Sequence, residues 1–346
     1  MRSTWRRLLT VVAVAVMTVL PLAERADGIP GPMIDLTTLI SNSTLIVTGT
    51  VASLEIGSPQ QVVEGSQRFE ARAVTGSIEV DQAIKGEPKM VPTRFTYLLP
   101  EAPRGWRSVG LHQYAIFFFG ASEKGLFHFT SRYYPYILVA PGSSATGSEP
   151  IDRVVSLLSS TASSSKARDA QRLSVIRMLA TVKAPASVAA LRTLLTSGPV
   201  ALRVAVAAAL LRGNDLSGLD LVTNVLLQKP PDVPDTIIQD AVAAVGWGLT
   251  SPQAIPKIEE LLASSDPEVR RAGTSSLMRI GSPLAIKSLQ SELQDSDFQT
   301  RYFAVVALAQ ITHQSEWRPT IGEFRTDENK YLGYWERWDR TQNQKQ

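Results

Sequence analysis

The stretch Asp266-Pro-Glu-Val-Arg-Arg-Ala-Gly-Thr-Ser-Ser-Leu-Met-Arg-Ile-Gly-Ser-Pro283 contains three features that recur along the second half of the chain. An arginine, Arg270, stands near its start, small and apolar residues follow, and a proline closes it thirteen residues after the arginine. The first feature recurs at spacings of 31, 36, 31 and 31 residues, with one glutamine among the arginines: Arg172, Arg203, Gln239, Arg270 and Arg301. A fixed period of this length is typical of a repeat architecture.

Each repeat is predicted to contain two helices. The first helix, for example 200–212 or 299–311, is rich in alanine and valine. The second helix begins at Pro185, Pro252 or Pro283 in three of the repeats, because the fixed φ of proline suits the first helical turn. Apolar residues then recur at helical spacing and predict one buried stripe in each second helix. The stripe consists of Val188, Leu191, Leu194 and Leu195; Leu219, Val222, Val225 and Leu226; Ile255, Ile258, Leu261 and Leu262; and Ile286, Leu289 and Leu293, with Glu292 in the one polar place.

The stretch from Asp266 to Pro283, and its partial repetition at Asp297-Phe-Gln-Thr-Arg301, resembles the HEAT family of helical repeats. The similarity is greatest to the short HEAT-like repeats of the phycobilin lyases. This resemblance covers residues 167–315 and implies an all-α solenoid of about five repeats. It also implies that the recurrent arginines pair with carboxylates or carbonyls of the next repeat, a role that suits Arg203, Arg270 and Arg301. Because such repeats are scaffolds, the fold predicts protein binding more readily than a reaction.

The second helices carry the predicted binding surface. When the apolar stripe is buried, the helical wheel leaves two positions of each second helix facing outward. The resemblance implies that the second helices line the concave face of the solenoid, which is the usual binding surface. The candidate partner-binding residues there are Asp220, Asn224, Glu260, Lys287 and Ser291. This mixed row has no charge stripe and therefore favours a folded protein or peptide over a polyanion.

The C-terminal segment, residues 316–346, carries a second candidate. Tyr331, Tyr334, Trp335 and Trp338 follow helical spacing, so a helix would gather these four aromatic side chains on one side. One interpretation is a cap on the last repeat, because an uncovered terminal repeat would be insoluble. The other is an aromatic patch that binds a partner, with Trp335 and Trp338 as its candidate residues.

The first 28 residues have the pattern of a secretory signal peptide. Arg2, Arg6 and Arg7 form a basic start, an apolar run from Leu8 to Leu22 follows, and Ala26-Asp-Gly28 has the small residues of a cleavage site. The apolar run is too short for a typical membrane-spanning helix. The pattern predicts an exported protein, periplasmic or secreted, without a membrane span beyond this signal. A signal that is kept as an anchor is the alternative.

Residues 33–140 have the character of β-strands. Short runs of β-branched and aromatic residues, such as 45–51, 72–80 and 114–119, are separated by glycine and proline. This pattern predicts a small antiparallel β-barrel or sandwich. The order of the runs resembles the OB-like barrel of exported bacterial proteins and, distantly, the netrin and metalloproteinase-inhibitor fold. That resemblance implies an inhibitor-like role as one alternative function. Residues 141–166, rich in serine and glycine, are predicted to form a linker with one short helix.

The composition excludes several kinds of chemistry. The chain has no cysteines, and its three histidines lack the spacing of metal ligands. It contains neither a glycine-rich nucleotide motif nor a nucleophile elbow. We therefore expect no catalytic residue, no cofactor and no metal, and interpret the chain as a non-enzymatic interaction or scaffold protein. The net charge of +3 comes mainly from the N-terminus, so nucleic acid is not an expected partner. A lyase-type or enzyme-accessory function, implied by the likeness to phycobilin lyases, is the alternative.

Overall fold

The computed structural model describes residues 35–88, 92–102, 105–182 and 184–343. The predicted signal peptide, residues 1–28, lies outside the described residues. Two parts follow each other along the chain, a six-stranded sheet between residues 45 and 138 and then a run of helices. This order confirms the predicted fold class.

The strands of the sheet close on themselves. They are β1 (Leu45–Glu64), β2 (Gln67–Lys85), β3 (Thr93–Pro100), β4 (Tyr114–Glu123), β5 (Leu126–Phe129) and β6 (Tyr136–Leu138). Pairing runs from β1 through β2, β3 and β5 to β4, and β4 pairs in turn with β1. Four of these pairings are antiparallel, as predicted, but β3 and β5 run parallel, with Phe95 opposite Phe127. A ring with an odd number of strands cannot alternate in direction all the way round, so one parallel pair is required.

Strand β4 is buried on both faces, which explains why its run of apolar residues does not alternate with polar ones. Phe117 and Phe119 belong to the core inside the ring, together with Phe95. Ile116 and Phe118 point to the other side and belong to a core shared with two helices. These helices are α1 (Leu36–Asn42) and α2 (Pro150–Ser163).

The segment expected to be a linker, residues 141–166, is packed against both parts of the chain. Helix α2 within it is 14 residues long, longer than the expected short helix, and its apolar side is buried. The hydroxyl of Thr161 on α2 accepts a hydrogen bond from the backbone N–H of Ala140 at 3.0 Å. Gln82 of β2 donates from Nε2 to the carbonyl of Ser143 at 2.8 Å. The polar residues of the segment thus surround a helix whose apolar residues belong to the core that the sheet shares with the helices.

The solenoid pairs a first and a second helix in each repeat. The pairs are α3 (Asp169–Thr181) with α4 (Pro185–Leu194), α5 (Val200–Arg212) with α6 (Leu219–Gln228), α7 (Asp235–Gly248) with α8 (Ile255–Leu262), and α9 (Pro267–Ile280) with α10 (Ile286–Ser291). The fifth repeat begins with α11 (Phe298–Ile311), and α12 (Ile321–Thr326) and α13 (Glu328–Asn343) follow it. The centre of the predicted apolar stripe is buried in every repeat, at Leu191, Val222, Ile258 and Leu289.

The first helices stack closely because small residues face one another. Ser276 of α9 donates from its hydroxyl to the carbonyl of Val245 on α7 at 3.0 Å, which requires the two helices to lie near each other. In the turn before α6, a Cβ added to Gly218 would lie 2.6 Å from the Cα of Ala207 on α5. Only glycine fits at that position without a shift of the backbone. The solenoid is therefore held together mainly through its first helices.

Candidate interaction surfaces

The second helices expose all five candidate residues: Asp220, Asn224, Glu260, Lys287 and Ser291. Lys257 of α8 lies between two of them, 3.3 Å from Asp220 Oδ1 and 2.9 Å from Glu260 Oε1. The structure therefore brings Asp220 of α6 and Glu260 of α8 into one cluster of alternating charge. Lys287 and Ser291 lie one turn apart on α10, where the hydroxyl of Ser291 donates to the carbonyl of Lys287. Among the described residues, neither is hydrogen-bonded to the Asp220 cluster.

The first helices present a surface that we did not predict. Arg177 of α3 forms an ion pair with Asp240 of α7 at 3.7 Å, although α5 packs between these two helices. Arg212 of α5 lies 2.5 Å from the same carboxylate. Asp240 thus joins the first helices of three successive repeats, α3, α5 and α7. The expectation that the second helices line the concave face stays a prediction.

The two layers differ in the size of their buried side chains. The first helices bury alanines, including Ala208 of α5 and Ala244 of α7. The second helices bury larger residues such as Leu226 and Ile258. Helix separation depends on the side chains at the contact, so the alanine-rich first helices can lie close together.

The first helices also expose one large aromatic side chain. Trp247, near the end of α7, is 65% exposed. The guanidinium of Arg279 on α9 lies 5.9 Å from the centroid of its ring. Tryptophan and arginine are the residue types most enriched at protein-interaction hot spots. Trp247 is thus a further contact candidate, on the opposite layer from the predicted row.

The recurrent arginines join neighbouring repeats at two of the three predicted positions. Arg270 donates from Nε and Nη2 to the two carboxylate oxygens of Asp295, at 2.6 and 2.9 Å. These hydrogen bonds from Arg270 hold the pKa of Asp295 below its ordinary value. Arg301 donates from Nε to Glu328 Oε1 at 2.5 Å. At Arg203 the prediction is wrong, because its buried Nε has no hydrogen-bond partner among the described residues, and the connection to the next repeat is longer there.

Helix α13 covers the end of the solenoid. Trp335 is fully buried, and Tyr331 is almost so. Trp317 stacks on Tyr334, with the ring centroids 3.7 Å apart. Trp335 is therefore closed to a partner, which removes it from the predicted aromatic patch and supports the cap. Trp338 packs against Trp335 but remains partly exposed, so it alone of the two predicted tryptophans is accessible.

A third surface lies on the sheet, in a groove of about 490 Å³. Trp106 lies in this groove, and the guanidinium of Arg132 is 4.3 Å from the centroid of its ring. Arg132 also forms an ion pair with Glu64, at 2.7 Å. The lining residues come from the end of β1, from β3, from residues 106–107 and from residues 128–135, so no local motif could have indicated the groove.

Within the described ranges, no group of three or more His, Asp or Glu side chains could hold a metal ion. No helix in the described part of the chain is long and apolar enough to cross a membrane.

The comparison with known families agrees with the repeat architecture. A family model described as HEAT repeats matches residues 225–309, which run from the end of α6 into α11. This range contains the Asp266–Pro283 motif and the Arg270–Asp295 ion pair between repeats. No curated protein matches the chain. The helical half of the chain therefore carries HEAT-like repeats, a class of repeat that commonly serves protein interaction.

Proposed function

We propose that this chain is an exported, non-enzymatic interaction or scaffold protein whose HEAT-like solenoid binds a protein partner. The observation that carries the proposal is the uninterrupted stack of first helices from α3 to α11, beside which the second helices expose a row of mixed residues. Solenoids of this kind offer extended binding surfaces that are built from successive repeats. The match to HEAT repeats supports the same function.

The partner surface in this proposal is the row formed by Asp220, Asn224, Glu260, Lys287 and Ser291. Lys257 lies within ion-pair distance of both Asp220 and Glu260, so the row presents opposite charges side by side across two repeats. Such an arrangement suits charge-complementary contacts with a folded protein or a peptide, where charged groups set specificity and the rate of association.

Charge reversal on the row tests this function. Asp220→Lys combined with Glu260→Lys should weaken retention of the partner by about tenfold or more. The fold should be unaffected, because exposed substitutions change the free energy of unfolding by roughly 0.5 kcal/mol or less. Affinity capture from an envelope fraction, quantified by mass spectrometry against the wild type, provides the measurement. Asp232→Lys with Glu316→Lys, two exposed sites outside the row, is the matched control. Equal retention by both double variants would refute the assignment of the row.

Export is supported by the basic start, the apolar run and the small residues near Gly28. We expect the mature protein from the envelope fraction to begin close to Ile29, because signal peptidases cleave after small residues. N-terminal sequencing of that fraction measures this directly. An intact Met1 there would contradict cleavage and favour a retained anchor.

We further infer that the sheet is an OB-like barrel. The strand order of the closed ring, with β3 parallel to β5, supports this assignment, because the OB-fold is a five-stranded Greek-key barrel.

A further inference from the structure

The groove on the sheet opens where two strands separate. β3 pairs with β5 only at Phe95 and Thr96. From Tyr97 to Pro100, β2 is the strand with which β3 pairs in the described sheet. The opposite wall of the groove, residues 128–130, stays beside β4. Among the described residues, one edge of β3 therefore faces the groove without a neighbouring strand, and an extended peptide can pair with such an edge.

Positive charge predominates around the groove. Arg107 and Arg132 line it, and Glu64 is the one acidic side chain among the described lining residues. Arg132 is already paired with Glu64. The guanidinium of Arg107 lies 5.3 Å from the ring centroid of Tyr134 and forms no ion pair with any described acidic residue. The groove thus holds an excess of positive charge that favours a carboxylate.

Glu64 shows how this groove holds a carboxylate. Glu64 lies at the end of β1, beside the tight turn of the long β1–β2 hairpin, and reaches Arg132 on the other side of the groove. Arg132 is itself positioned by Trp106, and Phe69 of the hairpin meets the same ring edge-on at 5.7 Å. A guanidinium that stacks on an aromatic ring loses little further freedom when it binds a carboxylate. The protein's own Glu64 occupies the place that a ligand carboxylate would take.

We propose that this groove binds an extended peptide with acidic side chains. The peptide backbone pairs with β3 between Tyr97 and Pro100, and one carboxylate displaces Glu64 from Arg132 while Arg107 lies close by. The site is on the barrel, apart from the solenoid row, so it goes beyond the function proposed for α6, α8 and α10. If binding at one of the two surfaces is disproved, the proposal for the other surface still stands.

Binding is tested on the full chain by fluorescence anisotropy with synthetic peptide pools that carry a neutral dye. The probe is a pool of acetylated, amidated octapeptides with glutamate at alternate positions and valine, threonine or tyrosine between them. One comparison pool carries lysine in place of glutamate, and another has an N-methylated backbone. The acidic pool should bind about tenfold more tightly than either comparison pool. No saturable binding of the acidic pool up to about 1 mM, or equal binding of the lysine pool, would overturn the proposal. Equal binding of the N-methylated pool would overturn the pairing with β3.

Two substitutions with opposite expected effects on peptide affinity test whether a peptide carboxylate replaces that of Glu64 on Arg132. Arg132→Gln should weaken binding of the acidic pool about tenfold, because it removes the guanidinium that binds the peptide carboxylate. Glu64→Gln should strengthen binding, because it removes the internal competitor. If the ion pair only held the hairpin in place, both variants would weaken binding, and that result would overturn the proposal.

A matched control is available on the same sheet. Arg72 and Glu101 form an ion pair at 2.5 Å with exposure similar to that of the Arg132–Glu64 pair, and neither residue lines the groove. Arg72→Gln and Glu101→Gln should leave peptide binding unchanged. A change as large as that of Arg132→Gln would show that the groove is not the site. All four variants should retain the solenoid partner as the wild type does.

Discussion

At the scale of single residues, Glu292 shows what a polar residue costs inside the apolar stripe. The equivalent positions of the three preceding repeats hold Leu194, Val225 and Leu261. Glu292 is 8% exposed, and its Oε2 has no hydrogen-bond partner among the described residues. Burial raises the pKa of Glu292 to about 7, and repulsion from Asp295 adds to this, whereas Arg270 acts in the opposite direction. Near neutral pH this carboxyl group is therefore poised between its two charge states.

The stability of the protein should accordingly depend on pH through Glu292. The unfolded chain ionises this group near its ordinary pKa of 4.5, whereas the folded chain keeps the proton up to about pH 7. The free energy of unfolding therefore falls as pH rises through this window and levels off above it. Glu292→Gln removes the effect, so relative to the wild type it should gain about 2–3 kcal/mol between about pH 5 and about pH 8. Denaturant titrations at the two pH values measure the gain.

The control for this measurement is Glu260→Gln, an exposed site on the preceding repeat. It should change the free energy of unfolding by well under 1 kcal/mol at either pH. The titration of the neighbouring Asp295 does not contribute to the difference between the two pH values. Its pKa is lowered by Arg270, so its contribution is present above the unfolded pKa and is lost only on stronger acidification. A gain for Glu292→Gln of the same size at both pH values would contradict the assigned titration.

At the scale of helices, the spacing of apolar residues was sufficient to predict which side of each second helix is buried. The stripe that contains Ile258 and Leu261 could be predicted because each second helix buries one side and exposes the other. The helical wheel that buries this stripe also places Asp220 and Glu260 on the exposed side. Periodicity says which face of a helix is buried, but not which residues of successive repeats meet. Arg177 of α3 and Asp240 of α7 pair across α5, and no helical wheel indicates that contact.

At the scale of strands, the sequence indicated strand character but not the pairing. The runs at 45–51 and 72–80 are parts of two long strands, β1 and β2. The outer half of β1 is largely exposed and continues because it pairs with β2. The parallel contact between β3 and β5 is a consequence of ring closure, which no local pattern reveals. The groove has the same origin, because it forms where β3 leaves β5. Its residues therefore could not be found from sequence.

At the scale of the whole molecule, the solenoid is covered at both ends. Helix α2 packs on α3 and α4 at one end and shares its core with the sheet. Helix α13 packs on α10 and α11 at the other end. Since each repeat buries its apolar side chains mainly against its neighbours, an uncovered end would expose apolar side chains such as Val305 and Leu308 to water. The sequence left the C-terminal aromatics open to two interpretations because their burial depends on Trp317 and Phe324, which belong to separate elements.

Truncating the largest buried side chain of the cap should therefore loosen one end of the molecule. Trp335→Ala should lower the free energy of unfolding by about 3–5 kcal/mol, because the indole is wholly buried. Amide hydrogens of α11 should exchange faster, while those of α5 stay protected, because the loss is transmitted only between neighbouring repeats. Hydrogen exchange read by mass spectrometry resolves the two helices. Trp338→Ala, at the half-exposed edge of the same helix, should have a smaller effect in the same direction. Unchanged exchange in Trp335→Ala, together with loss of the captured partner, would mean that α13 is a binding patch and that the solenoid needs no cover there.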